Sequence, residues 1–205
     1  MGKQVRRIIL LGLIASVVAG ACGGKGPPAA TQATVPQSAP STTAADPYAV
    51  PATIDAAYLN RVFAALEHVD GDATRLILES RTFPPDAAKR LQAIYAVDEF
   101  HNQTNLWLDL ISGGLTGFRQ PAGERLTSVH NIISLKADCI YAAVIRDYSQ
   151  LSTTAAAPAT EYIELRPAAP NSDPFSLNPT PWQIAAEGYN RDGSQPSDPC
   201  AEQSS

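Results

Sequence analysis

Three histidines, His68, His101 and His130, are the side chains of this chain best suited to acid–base or metal chemistry near neutral pH. None falls at a metal-ligand spacing such as HExxH, and no paired CxxC stands nearby, so the sequence predicts no metal. Asp98 and His101 lie three residues apart on one predicted helix face, with Tyr95 a turn earlier. That arrangement suits an acid–base pair, and equally a solvated helix face. His130 stands in a predicted strand whose register the sequence leaves open. Glu67 with His68, and Asp70 with Asp72, cluster where a first helix is expected to end, and they read as solvation of a turn without a calcium-loop pattern.

Nucleophile elbows, Walker loops and dinucleotide fingerprints are absent from the sequence. Gly113, Gly114 and Gly117 are close together but follow a helix instead of opening one, so they make a loop and no phosphate cradle. No cofactor and no catalytic set is expected. Tyr141, Tyr148, Tyr162, Trp182 and Tyr189 fall in predicted strands. If the sheet curls, Tyr141, Tyr162 and Trp182 become the candidate lining of an apolar pocket, with simple core packing as the other reading.

The cysteines point to an address. Lys3, Arg6 and Arg7 precede a predominantly apolar run, Ile8 to Val18, and then the small residues Ala19, Gly20 and Ala21. This is the pattern of an export signal, expected over residues 1–21. The apolar run would span only about half of a roughly 30 Å hydrocarbon core as a helix. Ala19-Gly20-Ala21-Cys22 resembles the lipobox of bacterial lipoproteins, with Ala where the family usually has Leu. The resemblance implies diacylglycerol on Cys22 and stable attachment to the outer face of the cell membrane, because two acyl chains anchor where one is marginal. Cys139 and Cys200 would then be an even pair in an oxidising setting, and a disulfide between them is expected.

Residues 22–53 carry the lipidated cysteine and an Ala, Pro, Ser and Thr-rich stretch too poor in apolar groups to repay its ordering, which reads as a disordered tether. Taking away the leader turns the formal charge of −5 into −8, which argues against nucleic acid as a partner. Residues 54–205 are long enough for one domain with one core.

Within it, Thr53 is placed to cap a helix carrying Ile54, Tyr58, Val62, Leu66 and Val69, expected to break at Asp70-Gly71-Asp72 before a shorter helix. Pro85 opens a third helix that runs to Gly113, long or broken near Phe100. Strands are predicted over 126–135, 139–148, 160–166 and 182–189, with Trp182, Ile184 and Ala186 on one face of the last and Gln183 and Glu187 on the other. Helices followed by a meander give an α+β fold, helices packed on a curved four-stranded antiparallel sheet. This order, closing on Thr180-Pro181-Trp182-Gln183-Ile184, resembles the NTF2-like, or SnoaL-like, cone. It lacks that family's early hairpin between the second and third helices. The chain is also similar to the small Ala/Pro-rich lipoproteins of high-GC bacteria.

The expected function is a non-enzymatic module, partnered by the membrane through its anchor, that binds an envelope protein or a small apolar ligand. The alternatives are an NTF2-like enzyme with Asp98, His101 or His130 as general base, and a scaffold subunit of an envelope complex.

Overall fold

The computed structural model describes residues 46–154, 157–188 and 194–201. The expected signal peptide, Cys22 and most of the tether lie outside them, as does Tyr189. Residues 46–50, placed in the tether by composition, form a turn in which the Tyr48 carbonyl accepts from Tyr58 Oη at 3.1 Å.

Helix α1 runs unbroken over Ala56–Ser80. Asp55, not Thr53, caps it, accepting from the Tyr58 amide at 2.7 Å. The expected break at Asp70-Gly71-Asp72 does not occur. Gly71 lies inside the helix because Glu124 Cγ sits 2.7 Å from where a Cβ would be, so a close approach, not a turn, requires the glycine. The helix stops at Arg81, whose left-handed backbone (φ 55°) returns its amide to the Ile77 carbonyl.

Pro85 opens α2 (Pro85–Ile94) as expected, and α3 (Val97–Ser112) follows after a break at Tyr95-Ala96, five residues before Phe100. The break has a tertiary cause. Tyr95 is extended and bridges Ile184, and the Ala96 amide donates to the Ile184 carbonyl at 2.9 Å, so the joint between the helices is stitched to the sheet edge. Gln183 and Asn178 side chains donate to the Ala93 carbonyl, satisfying the end of α2.

Strands β1 (Leu126–Lys136), β2 (Cys139–Asp147), β3 (Ala159–Pro167) and β4 (Trp182–Gly188) form one open antiparallel sheet in chain order, so the fold is α+β with three helices on a four-stranded meander. One face carries Ile140, Ala142 and Val144 of β2, Ile163 and Leu165 of β3, and Trp182 and Ile184 of β4, packed on Leu59, Val62, Phe63, Leu66 and Ile77 of α1 and on Leu91 and Ile94 of α2. Alternation also turns Arg146 and Glu161 toward the helices.

In β4 the expected alternation fails. Ala186 pairs with Glu164 and Ile184 with Leu165, leaving Ala185 as an extra residue. This bulge reverses parity, so Glu187 joins Trp182 and Ile184 on the helix side while Ala186 faces outward. Two similar irregularities in β1 leave His130 and Ile133 unmatched by β2.

Candidate active or binding cleft

The three pocket candidates from sequence are divided between the two faces of the sheet. Trp182 is core, its indole N–H donating to Tyr58 Oη at 2.9 Å. Tyr141 and Tyr162 stack at 6.0 Å on the opposite sheet face. There they pack near the Cys139–Cys200 disulfide and border a recess of about 190 Å³ under the 196–199 segment. The disulfide has a Cα–Cα distance of 5.7 Å. Cys139 and Cys200 are buried, and the C-terminal segment is held further by Ser134 and Lys136, which donate to Asp198 and to the Cys200 carbonyl. Asp98, His101 and His130 are exposed, and His68 is spent on Glu124 at the surface. Cys22 lies outside the described residues.

The helix-facing side instead holds a buried charge network. Glu67 and Asp70 do not solvate a turn: they lie on the inward stripe of α1, one turn beyond Phe63 and Leu66. Arg146, fully buried, reaches Glu67 at 3.1 Å, Glu161 at 2.9 Å and Glu187 at 2.8 Å. Arg125, in the loop before β1, donates to Glu67 at 2.7 Å and to Tyr95 Oη at 3.1 Å, and lies 3.3 Å from Asp70 and 3.8 Å from Glu187. Tyr95 Oη donates to Asp70 at 3.1 Å, and Tyr148 Oη to Glu161 at 2.6 Å. From α3, Gln103 bridges Glu99 and Glu187, 2.8 Å to each. Removing two guanidinium groups from water is costly, and the carboxylates paired with them offset part of that cost.

The same environment splits the acids. Burial pushes Glu67 up, but Arg125 and Arg146 with the Thr127 hydrogen bond outweigh it and hold the carboxyl below its ordinary 4.5. Asp70 goes the other way: burial, with the charges of Glu67 and Glu187, raises it above 3.8 against the pull of Arg125. Burial also raises Glu99 and lifts the Tyr148 hydroxyl to about 12. Tyr95 stays a neutral phenol, raised by burial and by Asp70.

This network forms the floor of a cleft of about 460 Å³. Asp70, Arg125, Gln103, Tyr148 and Glu187 face it from below. Its walls are apolar: Leu106, Trp107 and Leu110 of α3, Phe118 of the α3–β1 loop, and Leu151 after β2. Trp107 and Phe118 stack at 5.6 Å. Their loops are joined, since the Arg119 amide donates to the Leu151 carbonyl at 2.8 Å and the Thr153 amide to that of Gly117 at 2.8 Å. Gly117, at φ 87°, makes the turn that aims Phe118 inward.

An apolar throat over a few convergent polar groups is the usual build of a small-molecule site. The sequence carried a partial signal for it. Glu67 and Asp70 interrupt an apolar helical stripe, and Arg146 continues the alternation of Ile140, Ala142 and Val144. A charge in phase with a core face marks either an ion pair or a site. No family model, curated protein or solved structure matches this chain.

Proposed function

We propose that this protein is an extracytoplasmic binding module, held at the membrane by lipid on Cys22, that takes up a small, largely apolar molecule in the cleft beneath α3. The observation that carries the reading is the cleft itself: about 460 Å³, apolar walls, and a floor whose polar groups are fixed by ion pairs before anything arrives. A pre-ordered floor lowers the entropic cost of binding. The leader pattern and the Cys139–Cys200 disulfide support an exported location. Helices leading into an antiparallel meander support a kinship with NTF2-like cones.

Two tryptophans make the test direct. In Trp182→Phe, emission reports on Trp107 in the cleft wall. Titration of the mature chain with an environment-sensitive naphthalene dye is expected to saturate at one dye per chain and to quench Trp107. Leu110→Trp, which fills the cleft, is expected to weaken binding about ten-fold at an unchanged Tm. A dye that leaves Trp107 unaffected sinks the proposal. Intact mass of the protein from its own membrane tests the anchor: a chain starting at Cys22 without acyl mass removes that part alone.

A second reading, proton-transfer catalysis, is favoured by one observation: Asp70, buried and raised, touches the Tyr95 hydroxyl at the cleft floor. Its base would be Asp70, in place of Asp98, His101 or His130.

A further inference from the structure

On the reading that the cleft binds a small molecule, we propose that its occupant is a cationic amphiphile, an ammonium or similar protonated nitrogen set against Asp70 and Glu187, its apolar body lying between Trp107, Phe118 and Leu110.

Charge balance carries the argument. Among the described residues the network under the cleft holds five carboxyl groups, Glu67, Asp70, Glu99, Glu161 and Glu187, against two guanidinium groups, Arg125 and Arg146. Arg125 is the one basic residue among the described residues lining the cleft, and its donors are committed: Nε to Glu67, Nη2 to Tyr95 and beside Asp70, Nη1 toward Glu187. Arg146 is sealed beneath, out of reach. An anionic ligand would have to draw Arg125 away from three carboxylates while adding a further negative charge to a low-dielectric site. A cation does the reverse and neutralises the excess. The stacked Trp107 and Phe118 rings offer π faces that attract a cation in transit.

The floor also sets a proton linkage. The network around Asp70 comprises Glu67 on its own helix, Tyr95 at the helix joint, Glu99 and Gln103 on α3, Arg125 in the loop, Arg146 on β2, Tyr148 just after β2, Glu161 on β3 and Glu187 on β4. Burial and the neighbouring carboxylates raise its pKa above the ordinary 3.8, with Arg125 opposing. An arriving cation favours the ionised form and lowers that pKa, so any proton the carboxyl still holds passes to solvent as the ion pair forms. Affinity for the cation therefore rises with pH through the raised Asp70 pKa, until the ligand amine itself deprotonates near pH ~10.

Calorimetry on the mature full-length chain tests this with three probes that share one body: 2-(2-naphthyl)ethylamine, the matching alcohol, and 3-(2-naphthyl)propanoate. The amine is expected to bind about ten-fold or more tighter than the carboxylate. Its affinity is expected to climb as pH rises through the raised Asp70 pKa, with proton release visible as a buffer-dependent heat. Asp70→Asn abolishes the pH dependence, and Glu187→Gln narrows the amine preference; the wild-type comparison stands even if either variant folds poorly. An alcohol or carboxylate that binds as well as the amine overturns the inference and leaves the binding cleft intact. Silence from all three probes also overturns it, and if the dye is refused as well, the binding reading falls with it.

Discussion

Arg146 shows how much depends on one charged side chain in a core position. Its guanidinium holds Glu67, Glu161 and Glu187 together from β2, so Arg146→Met leaves three buried carboxylates without their common partner. We expect a loss of about 3–5 kcal/mol in urea unfolding, partly restored by adding Glu161→Gln, which removes one orphaned charge. Arg146→Lys is expected to recover little, because one ammonium cannot replace a planar fork that reaches three acids. Residue by residue, the network was half legible. Arg146 and Glu161 sit in phase with apolar neighbours on their strands, and Glu67 and Asp70 in phase with theirs on α1, so parity and helical period identify them as inward. Arg125 precedes its strand in a loop without a period, and nothing local marks it.

At the level of elements, the four strands, the Pro85 helix start and the β1–β2 hairpin followed from local pattern, since each depends on residues adjacent in sequence. The errors came from contacts between distant segments. Gly71 looked like a helix terminus because glycine lowers helix propensity, yet Glu124 arriving from the loop needs that space. The break between α2 and α3 falls at Tyr95 because Ile184, some ninety positions later, accepts the Ala96 amide. Glu187 changed faces because Ala185 bulges. A double-variant cycle tests the first account. Gly71→Ala alone is expected to be near neutral, with the helix-propensity gain cancelled by displacement of Glu124. In a Glu124→Ala background the same substitution should stabilise by about 1 kcal/mol, read from denaturant midpoints. A gain of equal size in both backgrounds would show that Glu124 moves aside freely.

Taken whole, the molecule keeps its two fastenings on opposite sides of one sheet, the ion-pair floor and cleft toward the helices and the disulfide with Tyr141 and Tyr162 away from them. The two should therefore separate experimentally. Cys139→Ser with Cys200→Ser opens a loop spanning 61 positions and is expected to cost about 4 kcal/mol of stability. Dye affinity in the cleft should stay within about two-fold of wild type while the protein remains folded, since additivity is expected for distant features. Loss of dye binding in a still-folded double variant would show that the faces are coupled. The sheet's outer margins carry a different consequence. The β4 margin is occupied by the Tyr95-Ala96 joint, whereas among the described residues β1 pairs on one side only. Its two unmatched residues, His130 and Ile133, bend it out of line, and the Val129 amide is already taken by the Asn60 side chain at 2.8 Å. A strand so kinked offers a neighbouring copy no flush row of free amides and carbonyls, so the same irregularities that complicate the register also discourage sheet-to-sheet polymerisation between crowded copies.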